Sequence, residues 1–281
     1  MRPSRSRAGF TLVELLIGMV VAAVVGAALV RFLMSDMQFQ EDREAWRTAR
    51  QAARAGVTVL TSDLRMVETG GGIETADASG QDLTIRVPYA MGVLCATDGA
   101  TSTVALLPAD SLMFTQPGHS GFAWRDENSG SYTYVSAGTV SGGSAGPCTI
   151  AGIAVVSGGQ VVSLGGTVPS GLVKGTVFLL YRRIRYEIKA SVTLSGQTAL
   201  WRTQLATGAS EELAAPFNPG SRFRFFVDGG TTAQDAVPSP LADIIGLELV
   251  FEGRSDRTPR KAAGPKVVPF STAIFFQNQS S

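Results

Sequence analysis

A single histidine, two cysteines and no proline between Pro3 and Pro88 set the limits of this 281-residue chain. Histidine-rich metal sites are out of reach, and H-E-x-x-H, C-x-x-C, a Walker lysine and a G-x-G-x-x-G turn after a strand are all missing. The main handles of the familiar enzyme classes go with them, so no catalytic residue, cofactor or metal is assigned and an enzyme is not expected. His119 lies in the turn-like stretch from Gln116 to Gly121 and is expected to be a solvated loop residue. An excess of one charge sign is also missing. With 24 basic and 23 acidic residues, or 21 and 23 once Arg2, Arg5 and Arg7 are set aside, no direct contact with nucleic acid is expected.

Charge is scarcest near the start. Arg2, Arg5 and Arg7 precede a run in which Glu14 is the one ionisable residue before Arg31. From Phe10 to Val30 an α-helix rises about 30 Å, the thickness of a hydrocarbon core. The basic leader marks the cytoplasmic side, so the expected orientation is N-in, C-out. A carboxylate at the bilayer centre costs about 2.5 to 3.5 kcal/mol, so Glu14 either meets a cation or lies close enough to the headgroups to be solvated. Gly18, Ala22 and Gly26 recur every four residues. They form either a stripe on which another helix can approach closely or merely the usual small-residue content of a membrane helix.

Gly9-Phe10-Thr11-Leu12-Val13-Glu14, with its basic leader and apolar continuation, resembles the class III signal of type IV pilins and type II secretion pseudopilins. The resemblance implies that a prepilin peptidase cuts after Gly9 and methylates the new amine of Phe10. Glu14 then becomes the fifth residue of the mature chain. An acid four positions along a helix shares the face of that amine, and in the family the amine of an incoming subunit pairs with the glutamate of a neighbour. Such a buried pair sets register more than stability. Thr11 reads as a helix-start hydroxyl.

The helical pattern continues beyond the membrane run. Phe39, Trp46, Ala49, Ala53, Val57, Leu60, Leu64 and Val67 keep spacings of three, four and seven, with Glu41, Asp42, Arg43, Glu44, Arg47, Arg50 and Arg54 largely on other faces. One helix is expected to about Val67, stopped by Gly70-Gly71-Gly72. The organisation is therefore a leader at 1–9, a membrane and assembly half of the helix at 10–34, an amphipathic half at 35–69, and a β-rich extracytoplasmic domain at 70–281.

In that domain short β-type runs alternate with Gly, Ser, Pro and Asp. Strands are expected at 83–87, 111–114, 132–135, 150–156, 160–164, 176–180, 184–194, 200–205, 222–227, 244–252 and 271–277. Arg183 to Lys189 alternates strictly, as an antiparallel strand with one wet face does. The fold class is α+β, a long helix on antiparallel sheet, with one sheet or two left open. Cys95 and Cys148 both lie beyond the membrane, where two thiols are more often paired than free. A disulfide there would stabilise by roughly 4 kcal/mol, the alternative being two separate buried thiols.

Other candidates read as ordinary structure. Glycine-rich 138–146 and the loop 228–240 look least ordered, and Asp228 and Asp235 lack the Asp-x-Asp-x-Asp spacing of a calcium loop. Ser120 beside His119, and Asp126 with Glu127, are expected to be polar turns rather than a hydrolase site. Trp124 and Trp201 are expected in the core or on strands, and the glycosylation pattern at Asn278-Gln279-Ser280 is taken as accidental.

The C-terminal half is similar to a narrower group. Leu180-Tyr181-Arg182, Leu200-Trp201-Arg202, Phe223 to Phe226, Ile244 to Leu249 and Ser271 to Asn278 follow the order seen in large minor pilins of the PilW type and in the type II secretion minor pseudopilin J. The family often ends its last strand in Arg-Asn, where this chain has Gln277-Asn278. The resemblance implies a rare subunit that primes a type IV pilus or secretion pseudopilus and sits at or near its tip. Its implied partners are other minor pilins or pseudopilins, the major pilin, the prepilin peptidase and the inner-membrane assembly platform. The tip-most pseudopilin lacks the acid, so Glu14 points to a subunit stacked beneath it. Before assembly the chain would reside in the bacterial inner membrane, afterwards in a periplasmic or cell-surface filament. The alternative is an uncleaved, membrane-anchored exported β domain that binds a ligand or an envelope component.

Overall fold

The computed structural model describes residues 11–114, 118–126, 130–169, 172–260 and 262–276. Helix α1 runs from Leu12 to Leu64 without a break, 53 residues or about 80 Å, because no proline or helical glycine pair interrupts it. It ends three residues before the expected Val67. The first buried residue on it is Ala45; from Leu12 to Met37 every residue but Gly26 is exposed, and Glu41 and Asp42 are the first to reach the domain by ion pairs. The helix is thus split into a free half and a docked half, as its two kinds of sequence require.

The docked face is narrower than the periodicity suggests. Ala45, Ala49, Ala52, Ala53, Gly56, Leu60 and Leu64 are buried, whereas Phe39 and Trp46, expected on that face, are exposed. Small side chains win the contact because the helix backbone comes close to the sheet. Large rings cannot enter so thin a gap.

The strands are β1 (Ile73–Ala76), β2 (Asp82–Thr97), β3 (Thr101–Leu106), β4 (Gly121–Arg125), β5 (Tyr132–Ser136), β6 (Val140–Gly142) and β7 (Val161–Gly165). They continue with β8 (Val177–Ala190), β9 (Thr198–Gln204), β10 (Ala209–Phe217), β11 (Arg222–Val227), β12 (Ile244–Arg254) and β13 (Val267–Phe275). Among the described residues all thirteen belong to one antiparallel sheet whose spine is β11-β12-β10-β9-β8-β2-β3-β7-β6. β13 pairs with β12, β1 with β2, and the hairpin β4-β5 leans on β8.

Strand β8 alternates as its sequence does. Ile184, Tyr186 and Ile188 are buried under α1, while Arg183 bonds Glu74 (2.6 Å), Arg185 bonds Asp82, and Lys189 bonds Glu187 (2.7 Å) on the wet face. Two cores result. One joins Leu60 and Leu64 to Tyr186, Leu200, Phe217, Phe223 and Phe251. The other, away from the helix, packs Phe122, Trp124 and Phe178 with Leu94, Val104 and Leu164. Phe122 stacks on Phe178 at 5.1 Å between ring centres.

Several expected strands differ. Residues 111–114 fall in the short helix α2 (Pro108–Met113), where Pro108 is suited to a first helical turn. Residues 150–156 are the end of α3 (Gly146–Ile150) and an unpaired stretch, because Cys148 is drawn to Cys95. The runs 176–180 and 184–194 form the single long β8, which stops at Ala190. Glycine-rich 138–146 contains β6 and the start of α3.

Candidate functional site

Thr11 caps α1. Its hydroxyl accepts from the Glu14 N–H (3.3 Å), and the Glu14 carboxylate accepts from both the N–H and the hydroxyl of Thr11 at 2.9 Å. This reciprocal capping box satisfies donors that a helix start leaves open. It also aims the carboxylate of Glu14 back toward the segment that precedes the helix. Thr11 is the helix-start hydroxyl expected of it, and it also donates to the Glu14 carboxylate. Gly9 and Phe10 lie outside the described residues.

From Leu12 to Met34 the large apolar side chains are exposed, Leu12 at 80% and Phe32 at 69%. The helix is long and apolar enough to cross a membrane. Gly18 and Gly26 have nothing within 4 Å of where a Cβ would stand, and Ala22 is exposed near them, so this stripe is open to an approaching helix. The docked half of α1 is held by charge as well as packing.

Glu41 faces Arg260 at 3.5 Å and Asp42 faces Lys266 at 3.3 Å at the lower end of the docked half. Near its upper end, buried Asp63 accepts from the Tyr186 hydroxyl and meets Arg202 at 3.1 Å. Burial and the Asp63 charge push the Tyr186 phenol well above its usual range. These contacts fix the amphipathic half of the helix to the domain.

Cys95 and Cys148 are joined in a disulfide that ties α3 to β2, with Ala105, Ile153 and Val155 around it. His119 overturns the solvated reading: it is 1% exposed, with Nδ1 3.1 Å from the Tyr89 hydroxyl. Burial lowers its pKa to about 4. A turn-like sequence describes the backbone there and says nothing of where the side chain goes. Arg182 lies 4.4 Å over the Tyr89 ring and closes the cluster.

The hydroxyl of Ser120 accepts from the N–H of Arg183 at 3.1 Å, while the His119 imidazole is turned to Tyr89, so the two neighbours serve different partners. The Asp126 N–H donates to the Ser131 carbonyl (2.9 Å) and its own carbonyl accepts from the Gly130 N–H (2.8 Å), while Glu127 lies outside the described residues. Asp235 bonds Arg222 (2.8 Å) and Arg224 (3.2 Å), and Arg222 holds its carboxyl below the usual range. Among the described residues no group of three or more His, Cys, Asp or Glu is placed to hold a metal ion. Trp124 is core; Trp201 lies on β9, donating to the Ala190 carbonyl at 3.2 Å beneath Lys189. Asn278 lies outside the described residues.

Residues 4–30 match the family model described as the prokaryotic N-terminal methylation motif. No curated protein and no solved structure matches the chain. The matched segment takes in Arg5, Arg7, Gly9, Phe10, Glu14 and most of the exposed apolar helix. The chain therefore opens with a type IV prepilin-like N-terminus, which supports its place in the pilin and pseudopilin class and its anchoring in a membrane.

Proposed function

We propose that the chain is a minor pilin or pseudopilin that primes a type IV pilus or type II secretion pseudopilus and sits at or near its tip. The observation that carries this is the methylation motif at 4–30 running directly into an 80 Å-class helix, half bare and half docked on a β domain. A prepilin peptidase cuts between Gly9 and Phe10 and methylates the Phe10 amine. The basic leader stays in the cytoplasm, and the domain lies on the other side of the membrane.

Glu14 then exchanges partners. Its carboxylate is engaged by Thr11 at the helix start, and the amine of a neighbouring subunit supplies a full charge in place of those bonds. The first helices to leave the bilayer have no bundle to receive them, and a set of anchored minor subunits provides one through the bare faces that include Gly18, Ala22 and Gly26. The resemblance of the C-terminal half favours the PilW or J type. Partners are other minor pilins or pseudopilins, the major pilin, the peptidase and the inner-membrane platform. The function needs no catalysis, cofactor or metal.

The test is the N-terminus of the membrane-extracted protein, read by intact and peptide mass spectrometry in cells with a prepilin peptidase. A chain beginning at N-methylated Phe10 is the expected result. A chain retaining residues 1–9, or cut beyond the apolar run, would replace this reading with an anchored or secreted β domain.

A further inference from the structure

Arg43, Arg47, Arg50 and Arg54 are exposed on the side of α1 turned away from the sheet. Their spacing of four, three and four residues sets them in one line about 16 Å long. With Trp46 and Gln51 they wall an open furrow. Among the described residues none of the four has an acidic partner; Arg43 rests on the ring of Phe39, 4.3 Å from its centre. Like charges one turn apart oppose each other by a few tenths of a kcal/mol per pair, so the ladder gains nothing within its own chain.

We propose that this ladder docks an acidic helix of a different membrane-anchored chain, one that carries Asp or Glu at the same helical spacing. The inference rests on the reading that the bare half of α1 lies in a bilayer beside other helices. Those helices, continued upward, lie against the side of α1 that the β domain leaves open, which is the arginine side.

Two other occupants fit less well. Arg31 marks the end of the apolar run, and Arg43 stands about 18 Å further along, beyond the headgroup layer of a membrane crossed by an upright helix. A second copy of this chain lacks the complementary ladder. Its own acids on this stretch, Asp36, Glu41, Asp42 and Glu44, fall on different sides of the helix, and Glu41 and Asp42 are engaged by Arg260 and Lys266.

The experiment uses the full chain in its native membrane, with Arg47→Lys and Arg50→Lys to keep the charge while supplying amines. Carbodiimide joins an amine to a carboxylate only in direct contact. Lys266 and Asp42, 3.3 Å apart, provide the internal control. The expected result is a cross-link from the introduced amines to an acidic stretch of another anchored chain, lost in 0.5 M salt (on the order of a 4 Å screening length). If the control forms but the introduced amines join only their own chain or a second copy of it, or nothing at all, the proposal is overturned. It is also overturned if a labelled single-stranded oligonucleotide binds the full chain and is released by Arg47→Gln with Arg50→Gln. The mass of the N-terminus in the same sample reports separately on whether the chain was processed as a pilin.

Discussion

A Cβ built on Gly253 would stand 1.9 Å from the carbonyl oxygen of Ala49. Helix α1 and strand β12 therefore meet backbone to backbone, with no side chain between them at that point. The same closeness recurs at Gly56, whose Cβ would come within 2.9 Å of the Phe217 ring. The docked half of the helix is seated by what is missing from its contact face.

Gly253→Ala is expected to destabilise the domain by roughly 3 kcal/mol, at the upper end of overpacking costs, because the obstacle is backbone and cannot rotate aside. Thermal unfolding of the full chain in detergent measures it. A loss under about 1 kcal/mol would mean that the helix can lift from β12 freely.

Removing Asp63 leaves two buried partners wanting. Asp63→Ala is expected to cost about 2 kcal/mol, since half-buried Arg202 then keeps only its longer contact with exposed Glu211 (3.5 Å), whereas Tyr186→Phe costs about 1 kcal/mol. Denaturant unfolding of both single variants and the double variant checks this. The losses should fall short of additivity, because the two groups share one bond.

His119 is held neutral in the folded chain, its pKa lowered by burial to about 4 from the usual 6.5. The unfolded chain binds the proton first, so this contribution to stability is complete above pH 6.5 and is lost as pH falls toward 4. The loss is on the order of 3 kcal/mol. His119→Gln should flatten the stability profile in that window alone.

The Cys95–Cys148 disulfide closes a loop of 53 residues. Cys95→Ser with Cys148→Ser is expected to lower stability by about 4 kcal/mol on a chain-entropy account. Limited proteolysis should then cut first around α3, which the bond secures, rather than within the helix-bearing core.

Glu14→Val should insert in the membrane as well as the natural chain, or better, since a buried carboxylate is unfavourable there. Recovery of the chain in sheared filaments should fall at least tenfold, about 1.4 kcal/mol or more of lost assembly free energy. Equal recovery would remove Glu14 from assembly.

Much of this architecture could be read from residues alone, where the physical signal is periodic. The long helix, the alternating strand at Arg183 to Lys189 and the membrane run all follow from spacing, and the paired cysteines from their number and compartment. What spacing missed depends on tertiary contacts. β10 was not expected because its Glu211-Glu212 and Ala214-Ala215-Pro216 have poor strand propensity; β9 and α1 hold it in place. β3 and β4 were missed because, at six and five residues, they are too short for a period to stand out. The burial of His119 depends on Tyr89, thirty residues earlier. In the site itself the motif was legible, while the capping bond from Thr11 and the bare row of arginines needed coordinates.

Ala45, Ala49 and Ala53 repeat every four residues along the docked face. Slid by about 6 Å, that part of the helix would superimpose on itself. The seam fixes which side of the helix faces the sheet but cannot count turns. Counting falls to features that do not repeat: Gly56 against Phe217, Glu41 and Asp42 at one end, and Asp63 at the other. They act as the pins of a ratchet, setting how far the anchor protrudes and hence the height at which the domain rides above the membrane.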